Sequence, residues 1–160
     1  RSHNGTFYSG YTAGASSAPA PPNLLDWRTE HFGSSANAGP GANGANPDFD
    51  LFWNLLEYAF RHNPLVADAG GPLRVSTGPS GGLRVEFDRD PLRDDIDLVV
   101  ECSNDLLGWT TIATSTAGAA IQSVHSDWSA TEIGSPYPRV TITQNAAQAP
   151  KFVRVRVVER

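Results

Sequence analysis

The chain has 160 residues, 39% of them apolar, and a formal net charge of −5 at neutral pH. That length holds one ordinary domain, or a small domain with an extension. The acidic balance argues against a nucleic-acid electrostatic footprint, since the nearest thing to a basic cluster is Arg154, Arg156 and Arg160 alternating along one segment, and no apolar run is long enough to span a membrane.

Residues 1–22 are rich in Gly, Ala, Ser and Pro and read as a linker or extended tail, with too few apolar groups to offset the entropy of ordering. Phe7, Tyr8 and Tyr11 are the exceptions and are able to dock as an added strand. Asp26 is placed to cap a short helix over 27–32, which Gly33 would end. Residues 33–45 show no periodicity and read as loop. From Leu51 to about His62 the pattern turns helical and is stopped by Asn63-Pro64.

After Gly70-Gly71-Pro72 the chain changes to short apolar runs. Strands are predicted over 73–77, 83–88, 96–103, 110–115, 139–143 and 151–158, with a shorter one near 121–125. Gly78-Pro79-Ser80-Gly81-Gly82 is a hairpin loop signal, and alternation is clean in 83–87 and 152–157. The expected fold is mostly β. An antiparallel β-sandwich, immunoglobulin-like or jelly-roll, fills 71–160, preceded by a short helical segment with an EF-like loop in 23–70.

The most informative stretch is Asn46–Glu57. It puts side-chain oxygens at loop positions 1, 3, 5, 9 and 12, from Asn46, Asp48, Asp50, Asn54 and Glu57, with the Phe52 carbonyl at position 7. Calcium takes six to eight such oxygens at about 2.3–2.6 Å. Two departures weaken the pattern. Asn46 replaces the usual Asp, and Leu51 stands at position 6, where a left-handed turn normally calls for Gly. Weak affinity of the extracellular kind, about 10⁻⁴ to 10⁻³ M, is expected. The alternative is a metal-free helix start capped by Asp48 and Asp50.

The same stretch is unusually apolar. On a helical net Phe49, Trp53, Leu56 and Phe60 form one stripe, and Leu51, Phe52, Leu55 and Ala59 another. One stripe is expected to meet the β-module. The other would be buried by the amino-terminal segment, or would meet a partner or second copy, with Phe49, Phe52, Trp53, Leu56 and Phe60 as the contact candidates. The Phe49, Trp53, Leu56 spacing also resembles the anchors of helix-in-groove ligands. Trp128, flanked by Ser and Asp, and Trp109, after Gly108, are the candidates for stacking on sugar rings of a polysaccharide; Trp109 is expected to close the core. The histidines (His3, His31, His62, His125) share no ligand spacing, and His125, Ser126 and Asp127 lack a nucleophile elbow. Cys102 is the lone cysteine and reads as an inert buried thiol. No enzyme is expected.

Three segments carry a family resemblance: Asn46-Pro47-Asp48-Phe49-Asp50, then Asn54-Leu55-Leu56-Glu57-Tyr58-Ala59-Phe60, then the β-rich runs around Val100–Trp109 and Phe152–Val155. Together they resemble the carboxy-terminal region of large secreted proteins of Verrucomicrobia and Planctomycetes. There a loop similar to thrombospondin type 3 and dockerin calcium loops precedes a β-rich module. The resemblance implies a secreted or cell-surface accessory module of bacterial origin. With the loop it would bind calcium, and the apolar helix and amino-terminal tail make a structural, adhesive or assembly role the expectation, through self-association or contact with a neighbouring surface protein. Phe49 stands where that family carries another Gly.

Overall fold

The computed structural model describes residues 23–145 and 152–160. Its elements are α1 (Leu24–Phe32), a 3-10 turn at Gly39–Gly41, α2 (Asn54–Phe60), β1 (Arg74–Thr77), β2 (Leu83–Asp88), β3 (Ile96–Ser103), β4 (Thr110–Thr116), β5 (Gln122–Ser123), β6 (Trp128–Ile133), β7 (Arg139–Gln144) and β8 (Phe152–Glu159). The expected tail over 1–22, with Phe7, Tyr8 and Tyr11, lies outside the described residues, as does Lys151 at the start of the last expected strand.

Two four-stranded antiparallel sheets form the body, ordered β1-β2-β7-β6 and β5-β4-β3-β8. Three connections cross between sheets: β2 to β3, β5 to β6 and β7 to β8. These orders match the A-B-E-D and C″-C′-C-F arrangement of an immunoglobulin-type sandwich, which decides between the two expected topologies. Among the described residues no strand stands beside β8 in the place of strand G. Instead α2 packs against β8. The helical segment therefore covers the side of the sandwich that a further strand would close.

The packing shows how this works. Leu24 and Trp27 of α1 and Tyr58, Ala59 and Phe60 of α2 belong to one buried cluster with Val85, Phe87, Val100, Ile112, Val140 and Ile142 of the sheets. Phe60 meets Phe87 edge-on at 5.6 Å, and Trp27 meets Tyr58 at 5.7 Å. The Tyr58 hydroxyl donates to Asp95 Oδ1 at 2.7 Å while the Leu24 N–H donates to Asp95 Oδ2 at 2.6 Å, so one carboxylate ties both helices to the start of β3. Arg28, 1% exposed, reaches Asn43 Oδ1 at 2.5 Å and Glu159 Oε2 at 3.1 Å, which fastens α1 and the following loop to the end of β8.

The elements differ from the expectations in instructive places. α1 begins at Leu24 rather than 27, because Asn23 and not Asp26 is the cap, its side chain accepting from the Asp26 N–H at 2.9 Å. Gly33 ends it in the left-handed conformation as expected (φ 71°). α2 begins at Asn54, not Leu51. The residues before it spend their backbone donors on Asp side chains, and such local bonds compete with helix formation. β6 is a strand that the sequence pattern does not predict. Its alternation runs normally over Trp128–Thr131 and inverts at the end, where Glu132 turns towards Arg89 and Ile133 is 78% exposed, which leaves too short an apolar/polar pattern to reveal it.

Candidate metal centre

The loop ahead of α2 is built from side-chain-to-backbone bonds. Asp48 Oδ1 accepts from the Asp50 N–H at 3.3 Å and Asp50 Oδ1 from the Phe52 N–H at 2.5 Å. The Asn46 amide donates to the Asp50 carbonyl at 2.6 Å, closing the loop on itself, and Asp50 Oδ2 accepts from the Asp68 N–H at 3.1 Å. Phe49, at φ 62°, takes the left-handed turn. The strain anticipated at Leu51 therefore falls at Phe49, at a cost of about 1 kcal/mol for a side chain with a Cβ.

These bonds leave several acceptor atoms unused. Asp48, Asp50 and Glu57 each bring a carboxylate oxygen to a common place, all within 4.8 Å of one another. Glu57, at the middle of α2, is 1% exposed, and among the described residues neither of its oxygens has a donor. Asp48 Oδ2 and Asn46 Oδ1 are likewise buried acceptors without a donor. A buried carboxylate left this way is costly, because desolvation is not offset by any hydrogen bond. Burial, followed by the charges of Asp48, Asp50 and Asp68, pushes the Glu57 carboxyl up to about 7. A cation is the group that satisfies several acceptors and no donors at once.

The expected ligands thus divide. Asp48, Asp50 and Glu57 converge, and Asn46 presents a spare oxygen from the same loop. Asn54 spends its amide nitrogen on the fold and keeps its oxygen free. Its amide donates to the carbonyls of Pro40 at 2.7 Å and Ala42 at 2.8 Å, buckling the 3-10 turn to α2, and its Oδ1 is a buried acceptor without a donor. Phe52 contributes its N–H to Asp50, and its ring sits 5.9 Å from His62. Asp68, which the loop spacing does not single out, stands near enough to raise Glu57 and is paired with His62 Nδ1.

The expected apolar stripe is not a stripe. With α2 starting at Asn54, Phe49 and Trp53 precede the helix, while Phe60 is buried and Leu56 and Phe52 are half-buried. Phe49 is 90% exposed, Leu51 89% and Trp53 60%. An anchor pattern of Phe49, Trp53 and Leu56 on one helical face is therefore absent, because two of the three lie on the loop.

The sugar-stacking candidates are corrected in the same way. Trp128 is buried at 6% exposure, at the start of β6, so its ring offers no face. Trp109 does not close the core. Its indole N–H donates to the Leu106 carbonyl at 3.2 Å, and the Arg154 guanidinium covers its ring at 3.9 Å. Cys102 is half-buried rather than fully enclosed, and burial raises its thiol above the usual range.

Comparison with protein-family models, with curated proteins and with solved structures finds no match to this chain.

Proposed function

We propose that this chain is a non-catalytic extracellular module, structural or adhesive, whose Asp48–Asp50–Glu57 centre holds calcium. The observation that carries the reading is Glu57, fully enclosed, with both oxygens lacking a donor beside two further carboxylates. The donor set is all oxygen, from carboxylates and an amide, which suits a hard cation and not zinc or copper. Three carboxylates and a spare amide oxygen favour calcium over magnesium, which keeps several waters and is held by one or two carboxylates. The resemblance of Asn54–Phe60 and its preceding loop to secreted calcium-loop proteins points the same way.

Calcium here acts as a clasp. Asp48 and Asp50 belong to the loop, and Glu57 to the helix whose neighbours Tyr58 and Phe60 lie in the shared core. Filling the centre fixes the loop to the element that covers β8. A site with an amide in place of one carboxylate is weak, which matches the calcium levels outside cells. The non-catalytic reading rests on how the other buried charges are used. Arg89 is spent on Glu132, and Arg28 on Asn43 and Glu159. Thermal unfolding in calcium and then in excess chelator tests the proposal, with magnesium as the comparison. A midpoint that rises with calcium and falls back with chelator is expected; identical midpoints would overturn the centre.

A further inference from the structure

The calcium loop carries an unexplained cost. Phe49 holds a left-handed conformation that Gly adopts freely, yet its side chain is 90% exposed and so gains almost nothing from packing. Leu51, two residues on, is 89% exposed, and Trp53, two further, is 60% exposed. Packing among the described residues does not account for three large apolar side chains displayed within five residues, one of them on strained backbone. Asp48 just before them, and Asp50 and Phe52 between them, turn inward, to the centre and to His62. The loop thus has a polar inner side that gathers carboxylates and an apolar outer side that projects from the body.

We propose that Phe49, Leu51 and Trp53 form a ridge that enters the headgroup region of an anionic lipid surface when a cation fills the centre beneath it. The inference rests on the cation reading of that centre. Area favours lipid over a second copy of the chain. Three side chains of this size offer roughly 400–500 Å², whereas a stable protein pair buries about 800 Å² on each partner. Side chains that project almost entirely free suit a fluid interface, which needs no complementary pocket, and Trp is a residue favoured at the headgroup level.

Charge favours an anionic surface that is met only with the cation in place. The chain is acidic overall, at −5, and the centre gathers the carboxylates of Asp48, Asp50 and Glu57 directly behind the ridge. A divalent ion cancels most of that local charge and leaves coordination positions that a headgroup oxygen can take. Beside the ridge, Trp53 shares a groove of about 530 Å³ with Arg154 and Arg156, which among the described residues have one acidic partner, Glu101, between them. Contact of this kind is interfacial. Among the described residues no helix is long and apolar enough to cross a membrane.

The test is co-sedimentation of the full chain with vesicles of phosphatidylcholine alone, or of phosphatidylcholine with phosphatidylglycerol, each with calcium chloride or with chelator. Binding to the anionic vesicles only, and only with calcium, is expected. Phe49→Gly keeps the left-handed turn and removes the ring, and Leu51→Ser removes the second apolar tip. Each should weaken vesicle binding about tenfold or more, in proportion to apolar area lost, while the calcium-induced rise in melting temperature stays. A calcium-induced rise without vesicle binding would overturn the docking and leave the centre intact. Absence of that rise would remove the centre, and the docking with it. Vesicle binding unchanged in Phe49→Gly would remove the ridge. Calcium-dependent association in sedimentation velocity that Phe49→Gly abolishes, with no vesicle binding, would make the occupant a second copy and overturn the lipid assignment.

Discussion

Two glutamates show how differently this chain treats a carboxylate taken out of water. Glu132, on β6, is met from two sides by Arg89, through Nε at 2.7 Å and Nη2 at 3.1 Å, and by the Ile121 N–H at 2.7 Å. Arg89 in turn is 3% exposed and uses its remaining nitrogen on Ser115 Oγ and the Gly118 carbonyl. Every charge in that network is answered. Glu57 is more deeply enclosed and is answered by nothing but other acceptors among the described residues. Where the sandwich needs a buried acid for structure, it brings an arginine. The front-end loop brings two more acids. The contrast marks Glu57 as a buried acid without a partner, the place that the proposed calcium would fill.

The sharpest way to break this comparison is to disturb the pair that the first glutamate makes. Glu132→Ala should destabilise the protein by about 3–5 kcal/mol, because Arg89 is left as a buried unpaired charge. Urea unfolding measures it, and a loss below about 1 kcal/mol would show that water reaches Arg89. Supplying the partner that Glu57 lacks is the next largest effect. For a dissociation constant of about 10⁻⁴–10⁻³ M, some 10 mM calcium adds roughly 1.4–2.7 kcal/mol. That corresponds to a rise in melting temperature of about 3–10 °C in a chain of this length.

The pH dependence separates the two sites further. The folded Glu57 carboxyl sits at about 7 against an ordinary value of 4.5, so the folded state holds a proton that the unfolded chain releases. This favours folding below about pH 4.5, and the benefit is lost as pH rises towards 7. In chelator, stability should fall by the order of 2 kcal/mol across that window from this group, and calcium should abolish the fall near neutrality. Glu57→Gln should remove both the decline and the response to calcium, as chemical denaturation at several pH values would reveal. A decline that persists in Glu57→Gln would assign the effect to another group. The smallest effect concerns the loop backbone. Phe49→Gly should leave stability unchanged or raise it by up to about 1 kcal/mol, since the strain relieved is offset in part by the greater freedom of Gly in the unfolded chain. A loss larger than that, in the same denaturation measurement, would mean the ring packs in solution.

Much of the sandwich is legible in the sequence because its strands obey period-two alternation. β2 and β3 fall over 83–88 and 96–103 as expected, and β4, β7 and β8 within a residue or two at their ends. β6 escapes because the last of its three inward positions carries Glu132, which only a distant arginine makes acceptable. The centre is legible as a spacing of oxygens. Its electrostatics are not, since burial without donors depends on what packs around Glu57, Asp48 and Asn46, and Asp68, from beyond the helix, adds its N–H to Asp50 and its charge beside Glu57. The apolar stripe misleads because helical periodicity extends on paper across residues whose backbone donors the aspartates have already claimed.

What the sequence determined by itself is local: which runs alternate, where Gly33 stops a helix, and that Asn46, Asp48, Asp50 and Glu57 are spaced to surround an ion. What only tertiary structure decided is which groups are deprived of water and which are left in it. Tertiary packing enclosed Glu57 without a donor, sank Trp128 into the core, laid Arg154 over Trp109, and left Phe49, Leu51 and Trp53 outside. The reason is physical. Spacing fixes which atoms can meet, but the cost of an unpaired charge or a free apolar side chain depends on what distant segments cover, and that is set when the helices close against β8.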